Sequence, residues 1–268
     1  MADSHANSSS ANEPTAVERR VVEHAVAQPN SAESILPLNV KSLRYSVGAA
    51  ELIHDVSFAV QRGSRNMVLG ANGAGKSVLL RLLHGLLLPS GGQIEWAGRD
   101  AQFKQAMVFQ RPIMLRRTAR ENIEFALQLA NHVHRIRDIS GAAAAALDSV
   151  GLAHLADRPA RLCSGGEQQR IALARVWALS PEVLFLDEPT ASLDPTATKA
   201  IEEVIHAINK TGTTIIMTTH DIGQAKRIAT RVLFLHRGNL MEDAAATHFF
   251  ETPRSPEAAA FIKGELLW

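Results

Sequence analysis

The sequence predicts an α/β domain in which buried strands alternate with helices around an open sheet. Two stretches lead to this class. Residues 66–70 form a strand-like, mainly apolar segment, which is followed by a glycine-rich segment and then by an apolar stretch with helical spacing. Residues 183–186 are uniformly apolar, as in a strand buried on both faces, and an amphipathic helix is predicted soon after them. Together these stretches indicate the strand–turn–helix units of an open α/β sheet.

The glycine-rich segment, residues 70–77, reads GANGAGKS. It has the form G-x-x-x-x-G-K-[ST] of a phosphate-binding loop. Its glycines let the backbone bend until several N–H groups point at phosphate oxygens, and the positive end of the following helix adds to the attraction for an anion. Lys76 can reach the β- and γ-phosphates, and the Ser77 hydroxyl can bind Mg²⁺. The alternative is a plain glycine-rich turn, but the flanking strand and helix favour the phosphate loop.

Length and composition exclude several classes of protein for this chain. The 268 residues are enough for one large α/β domain or two small ones, and 46% of them are hydrophobic, which supports a full core. The formal net charge of +1 argues against a nucleic-acid binder that relies on bulk charge. The single cysteine, Cys163, excludes an internal disulfide. Because no long apolar run and no apolar signal core occur, we expect neither a membrane-spanning helix nor secretion.

The N-terminal part of the chain predicts an extension followed by a hairpin. Residues 1–35 are rich in Ala, Ser, Asn and Glu and lack periodicity, so we expect a disordered extension before a folded domain at residues 36–268. Residues 40–46 and 52–60 are strand-like, and a glycine between them indicates an antiparallel hairpin. Tyr45 precedes that turn. It is either a residue at the rim of the sheet or a ring that stacks on a nucleotide base.

Several predicted strands end in polar residues. Gln110, the Asp187–Glu188 pair and His220 each come directly after such a strand, at the edge where open α/β sheets bind ligands. Adjacent carboxylates are unfavourable there unless they serve a cation or a reaction. Asp187 suits a contact with Mg²⁺, and Glu188 suits a base that orients and deprotonates water. A lone histidine is more often structural than catalytic, but the position of His220 in this series favours a function.

Residues 111–165 are predicted to form a helical lobe inserted between core strands. Thr118 and Glu121 have the spacing of a capping box, which opens a helix through about residue 131. An alanine-rich helix is predicted from Ser140 to about residue 150.

Two later helix starts carry capping residues. Ser164 precedes Gly165 and Gly166, so its helix begins with bare backbone N–H groups and is a second potential anion site; the alternative is a plain loop. Asp194 precedes Pro195, and a capping role explains it as well as a nucleotide contact does.

The C-terminal part is predicted to be short. Residues 232–236 read as the terminal strand, followed by a turn at Gly238 and Asn239. Ser255 has the position of a cap for a last helix through about residue 263.

These motifs, in this order, resemble those of the ATP-binding cassette (ABC) family, and the resemblance covers about residues 38–265. The matching motifs are GANGAGKS (Walker A), Gln110 (Q-loop), CSGGEQQR (the signature), LFLDEP (Walker B), SLD at residues 192–194 (D-loop), His220 (the switch histidine) and Tyr45 (the aromatic A-loop residue). The signature departs from the family pattern at Cys163, where Leu is usual, and at Glu167, where Gln is common, but its Ser-Gly-Gly core is present.

The resemblance implies a P-loop NTPase fold with a RecA-like core sheet, an N-terminal antiparallel β subdomain and an inserted helical subdomain at about residues 111–165. It implies an ATPase with ATP and Mg²⁺ as cofactors. The implied catalytic residues are Glu188, His220, Gln110 and Lys76, and the implied metal contacts are Ser77, Gln110 and Asp187. The implied nucleotide contacts are Tyr45, Gly70, Ala71, Asn72, Gly73, Ala74, Gly75, Lys76, Ser77, Val78, Ser164, Gly165, Gly166, Glu167 and Asp194.

The resemblance also implies partners. In a head-to-tail homodimer, the Walker motifs of one subunit would face Ser164 and Gly166 of the other across two ATP molecules. A separate membrane permease would dock near the Q-loop and the helical subdomain, and an extracytoplasmic substrate-binding protein would act indirectly. The chain would then lie peripherally on the cytoplasmic face of the inner membrane and would bind no nucleic acid.

Within the family, three segments look like those of bacterial importers of tungstate and related oxyanions. They are VFQRPIMLRRTARENI, CSGGEQQR and FIKGELLW. Importers of phosphate, molybdate or polar amino acids share much of this pattern. Two classes outside import are a soluble ATPase in DNA repair, translation or cluster assembly, and a binding-only module. The absence of a heptad insertion and of a second cassette argues against the soluble ATPase, and the full set of Lys76, Asp187, Glu188 and His220 argues against the binding-only module.

Overall fold

A computed structural model of the protein describes residues 34–134 and 136–265. The predicted N-terminal extension lies outside the described residues except for its last two. Of these, Ser34 donates a hydrogen bond from Oγ to Glu182 Oε2 at 2.7 Å, and Ile35 is fully buried. The last three residues of the segment FIKGELLW also lie outside the described part.

The elements follow one another in α/β order. The strands are β1 (Leu38–Val47), β2 (Ala50–Val60), β3 (Arg65–Leu69), β4 (Gly91–Trp96), β5 (Gln105–Val108), β6 (Val183–Asp187), β7 (Thr214–Thr218), β8 (Arg231–His236) and β9 (Asn239–Ala245). The helices are α1 (Lys76–His84), α2 (Ala101–Lys104), α3 (Ala119–His134), α4 (Ile139–Ser149), α5 (Gly165–Trp177), α6 (Pro195–Lys210), α7 (Ile222–Ile228), α8 (Ala246–Glu251) and α9 (Pro256–Ile262).

The strands form two sheets. The smaller sheet is antiparallel, with the strand order β2-β1-β4, and it contains the predicted hairpin. The larger sheet has the order β5-β6-β7-β3-β8-β9 and is parallel except for β9, which pairs antiparallel with β8. The predicted class is confirmed: the chain has a mixed α/β fold with an antiparallel β subdomain. The parallel order brings the carboxyl ends of β3, β5, β6 and β7 to one edge.

Both faces of the larger sheet are covered. Successive residues of β6 alternate between two apolar clusters, with Leu184 and Leu186 in one and Val183 and Phe185 in the other. All five residues of this strand are buried. This is why the strand appears in the sequence as a continuous apolar run.

Strand β9 contradicts the prediction that β8 is the terminal strand. Its sequence NLMEDAA has no alternation of apolar and polar residues, and of its side chains only Glu242 is buried. A strand at the edge of a sheet pairs on one side and carries a weaker hydrophobic pattern. The predicted turn at Gly238 and Asn239 is therefore a hairpin turn between β8 and β9.

The helical lobe contains α3 and α4. Thr118 and Glu121 form the predicted capping box: the Thr118 N–H donates to Glu121 Oε2 at 2.8 Å, and the Glu121 N–H donates to Thr118 Oγ1 at 3.2 Å. The sequence predicts the start of α4 at Ser140, but Asp138 caps this helix by accepting a hydrogen bond from the Gly141 N–H at 2.8 Å.

Among the residues that the structure describes, no helix has both the length and the apolar character needed to cross a bilayer.

Helix α1 ends before its apolar sequence pattern does. Its apolar pattern continues to Leu88, yet the helix ends at His84 because Gly85 adopts a left-handed conformation with φ 86°. The Gly85 N–H bonds to the Leu82 carbonyl, which closes the last turn.

Candidate active site

The loop between β3 and α1 depends on two glycines that have no room for a side chain. A Cβ atom on Gly70 would lie 2.2 Å from the Leu235 carbonyl oxygen. A Cβ atom on Gly75, whose φ is +100°, would lie 2.8 Å from Ile53 Cδ1. Gly73 also has a positive φ, +79°, but no atom lies within 4 Å of a Cβ built on it. The loop is therefore packed at its two ends and open in the middle.

This difference predicts unequal effects of alanine at the two kinds of position. Gly70→Ala is expected to prevent stable folding, because the new methyl group meets a backbone carbonyl of β8 that cannot move aside. Gly73→Ala should lower the stability only by the cost of a left-handed alanine, about 1–2 kcal/mol. Thermal unfolding of the two purified variants measures the difference. Equal melting temperatures would show that the packing at Gly70 is not limiting.

Lys76 begins α1 and is 5% exposed. Its ammonium group donates hydrogen bonds to the carbonyls of Gly70 at 2.9 Å and Ala71 at 3.0 Å, which holds it over the loop. Nζ lies 3.9 Å from Glu188 Oε1. Burial lowers the pKa of Lys76, and the negative charges of Glu188 and Asp187 oppose that change. A third N–H of the ammonium remains for a further acceptor.

Asp187 ends β6 and is 4% exposed. Its Oδ1 atom accepts hydrogen bonds from Ser77 Oγ at 2.7 Å and from Thr218 Oγ1 at 2.9 Å. Thr218 also accepts the N–H of Glu188 at 2.9 Å, so this hydroxyl fixes both carboxylate residues. The sequence reasoning missed Thr218, whose only signal was a threonine near the end of a buried strand that neighbours β6.

Glu188 has an unusual backbone conformation. Its φ is 45°, in the left-handed region that few residues other than glycine adopt. Its Oε2 atom lies 3.1 Å from His220 Nδ1. The glutamate side chain is 16% exposed and the histidine side chain 61%, so the carboxylate is the better shielded of the two groups. The structure thus brings together Lys76, Ser77, Asp187, Glu188 and His220 at one edge of the sheet.

Gln110 and Tyr45 belong to segments that neighbour the elements carrying this cluster. Gln110 is exposed and follows β5, whose Val108 is in register with Leu186 of β6. Tyr45 is half-buried and lies opposite Ile53, which borders Gly75. The other predicted loop contacts differ in exposure: Asn72 is exposed, Ala71 and Val78 are partly buried, and Ala74 is buried in the core.

The start of α5 forms a second cluster. Ser164 makes a capping box with Glu167: the Ser164 N–H donates to Glu167 Oε2 at 2.7 Å, and the Glu167 N–H donates to Ser164 Oγ at 3.3 Å. The hydrogen bond from the Ser164 backbone is the main reason that the pKa of Glu167 is lowered. A Cβ atom on Gly166 would lie 2.8 Å from Ala197 Cβ, so α5 packs closely on the start of α6. Asp194 has the capping role, one of the two expected for it, and accepts the Ala197 N–H at 2.9 Å.

The two clusters are separate. Within residues 34–134 and 136–265, no hydrogen bond or ion pair joins residues 164–167 to the loop at residues 70–77. Ser164 and Gly165 are exposed, and the Ser164 hydroxyl accepts a hydrogen bond but keeps its own proton to donate.

The oxygen atoms of Ser77 and Asp187 suit Mg²⁺. Both are hard ligands, and they lie 2.7 Å apart at the mouth of the loop. Mg²⁺ usually takes one or two protein ligands and completes its shell with water and phosphate oxygens. The cluster therefore fits a triphosphate bound with its metal ion.

Comparison with known proteins shows the family to which the chain belongs. A family model described as ABC transporter matches residues 53–191. The chain belongs to the ABC transporter family. It is an ATPase subunit of the kind found in import systems.

The relatives of this ABC transporter subunit include import proteins. It is 35% identical to phosphate import ATP-binding protein PstB 2 of Natronomonas pharaonis, over 86% of this chain and 88% of the relative. It is 36% identical to methionine import ATP-binding protein MetN of Caulobacter vibrioides, over 83% of this chain and 70% of the relative. Its fold matches cbiO1 of Clostridium perfringens, part of the ABC transporter complex cbiONQ, with a TM-score of 0.71 at 28% identity, covering 82% of this chain and 92% of that one.

Proposed function

We propose that this subunit hydrolyses ATP to power the uptake of a small oxyanion, tungstate first and molybdate or phosphate next. The observation that carries the proposal is the 35% identity to a phosphate import protein, which extends over most of both chains. Tungstate comes first because three segments, among them the signature CSGGEQQR, resemble those of tungstate importers.

The nucleotide is proposed to lie over the loop at residues 70–77, with Tyr45 stacked on the adenine. Lys76 would give its remaining N–H to the β- and γ-phosphates, because its other two are directed at loop carbonyls. Ser77 and Asp187 would hold Mg²⁺, which when bound neutralises charge on the phosphates. The hydrogen bond from Thr218 keeps the Asp187 carboxylate in place for this role.

Glu188 is proposed as the general base. Its carboxylate takes a proton from the attacking water while the water oxygen bonds to the γ-phosphorus and the bond to the β–γ bridging oxygen breaks, leaving ADP and phosphate. His220, 3.1 Å from Glu188 Oε2, orients the carboxylate. Gln110, at the end of the neighbouring strand, would contact the metal ion or the water.

The second cluster is proposed to act on the nucleotide of another copy of the chain. The helix start at residues 164–167 does not bond to the loop of its own subunit, and Ser164 and Gly165 are exposed there, whereas Gly166 is buried and Glu167 is partly buried. Asp194 lies close to this helix start through the packing of α5 on α6. A head-to-tail homodimer would place both motifs against the partner's ATP and complete each site.

The membrane partner is proposed to dock beside Gln110. Three apolar side chains are exposed in this region. Phe109 and Ile113 flank Gln110 in the sequence, and Leu162 lies on the helical lobe. They fit a permease segment, which would hold the subunit at the cytoplasmic face of the membrane, while a separate binding protein supplies the solute. No nucleic acid takes part in this scheme.

Uptake of a polar amino acid is the second candidate. The 36% identity to a methionine import protein supports an amino acid as the cargo, although the side chain of methionine is itself apolar. The cargo itself would contact the permease and the binding protein, so a measurement of uptake separates the two candidates.

Uptake by cells tests the cargo. We expect deletion of the gene to lower cellular tungsten and, to a smaller extent, molybdenum, and the wild-type gene to restore both. A gene carrying Glu188→Gln should not restore them, because the importer would lack turnover. Elemental analysis after growth on limiting tungstate, with uptake of labelled methionine in parallel, gives the measurement. A loss of methionine uptake with unchanged metal content would favour the second candidate.

A further inference from the structure

Gln224 is a fully buried polar residue outside the cluster at the sheet edge. It lies in the first turn of α7, soon after His220, and its backbone N–H donates to the α7 cap Asp221 at 3.0 Å. The side-chain amide uses both of its ends. Oε1 accepts a hydrogen bond from Thr190 Oγ1 at 3.1 Å, and Nε2 donates to Glu202 Oε1 at 3.2 Å.

Glu202 fixes which way this amide points. It is 7% exposed, and it accepts hydrogen bonds from Arg227 Nε at 2.9 Å and from the same guanidinium's terminal nitrogen at 2.7 Å. A carboxylate can only accept hydrogen bonds, so the NH₂ group of Gln224 must face Glu202 and its oxygen must face Thr190. The chain of contacts from Arg227 to Thr190 therefore has one consistent orientation.

Thr190 belongs to the turn that carries Glu188. The Ala191 N–H donates to the Glu188 carbonyl at 3.1 Å, and the Leu193 N–H donates to the Thr190 carbonyl at 3.2 Å. The segment at residues 188–190 thus has two side-chain connections to the segment at residues 220–224. One is the solvent-facing pair of Glu188 and His220, and the other is the contact between Thr190 and Gln224.

The contact between Thr190 and Gln224 supports the backbone conformation of Glu188. Glu188 has a φ of 45°, and such a conformation persists only where the surroundings hold it in place. His220 is 61% exposed, so its hold on Glu188 competes with water. The contact between Thr190 and Gln224 is better shielded and contains no titratable group, so it holds the turn at any protonation state of the pair.

We propose that Thr190 and Gln224 are positioning residues for Glu188, anchored by Glu202 and Arg227. Their contact fixes the position of the turn at residues 188–190 relative to α7, so that the Glu188 carboxylate can contact both His220 and the attacking water. Binding of ATP does not depend on it, because neither residue touches the loop at residues 70–77. The inference rests on the proposed role of Glu188 as the base.

Thr190→Val tests the inference, since it removes the hydroxyl and keeps the shape. We expect kcat for ATP hydrolysis to fall about tenfold, because a small displacement of a reacting group is enough for such a loss. The KM for ATP should stay within about twofold, since binding is unaffected. Thr190→Ser should restore kcat. Gln224→Met should lower kcat by a similar factor, and the double variant should be no slower than either single variant, because all of them break one contact.

Thr213→Val is the matched control. Thr213 is also buried, and its hydroxyl donates to the Pro181 carbonyl at 2.8 Å, just before β7 and away from the carboxyl edge of the sheet. It should lower the melting temperature to a similar extent without changing kcat. An unchanged kcat in Thr190→Val, or an equal loss in Thr213→Val, would overturn the inference.

The two proposals fail in different ways. Normal turnover by Glu188→Gln would refute the role of the base itself. An inactive Glu188→Gln variant beside a fully active Thr190→Val variant would refute only the positioning role. If Thr190→Val does not fold, Gln224→Met tests the same contact from the other side.

Discussion

Glu188→Gln is expected to lower kcat for ATP hydrolysis by a factor of about 10² to 10⁴, the usual contribution of a general base. Glutamine has the size of glutamate, and it can keep a hydrogen bond to His220, which lies 3.1 Å from Oε2. It cannot accept the proton of the attacking water. Binding of ATP should persist, since the loop, Lys76 and Asp187 are unchanged.

Steady-state phosphate release and a separate ATP titration measure the two quantities. Glu203→Gln is the matched control, because Glu203 is an exposed residue of α6, a helix outside the cluster. It should change neither quantity. Wild-type turnover by Glu188→Gln would exclude Glu188 as the base, and a parallel loss of ATP binding would show that the carboxylate serves binding instead.

Lys76→Met is expected to weaken ATP binding by about 10- to 100-fold, which corresponds to the loss of a charged hydrogen bond. The effect on stability should be small or favourable. Burial lowers the pKa of Lys76, which means that the folded state disfavours the charged form. Methionine has a similar length and bears no charge, so it avoids this cost. Affinity and stability are therefore expected to respond in different directions.

Calorimetric titration with ATP and thermal unfolding without nucleotide measure this separation. Lys199→Met, at an exposed position of α6, is the control for removing one positive charge. Unchanged affinity in Lys76→Met would contradict the proposed nucleotide site as a whole. A large drop in melting temperature would show that the bonds to Gly70 and Ala71 hold the loop together.

Features that depend on neighbouring residues could be predicted from the sequence. The capping box of Thr118 and Glu121 and the caps at Ser164 and Asp194 each involve contacts within three residues, and all of them are present. The buried strand at residues 183–186 was visible because each of its side chains is apolar. The polar residues at the strand ends could be placed at one edge because parallel strands share a direction.

Features that depend on distant residues could not be predicted. The Thr218 hydroxyl donates to Asp187 and accepts the N–H of Glu188, and these bonds span 31 and 30 positions of sequence. Nothing near Thr218 distinguishes it from Thr214 or Thr219. Strand β9 lacks a hydrophobic pattern, since its position at the edge leaves most of its side chains exposed. The early end of α1 follows from the conformation of Gly85, which a continuing apolar pattern conceals.

The left-handed backbone of Glu188 sets a limit on improving this protein by selection for heat resistance. Glycine and asparagine adopt a φ of 45° more readily than glutamate does, so either residue would relax the turn. A screen for thermal stability alone would therefore favour variants in which glycine or asparagine replaces Glu188. Only a screen that also demands turnover would retain Glu188, and the two demands conflict at this single position.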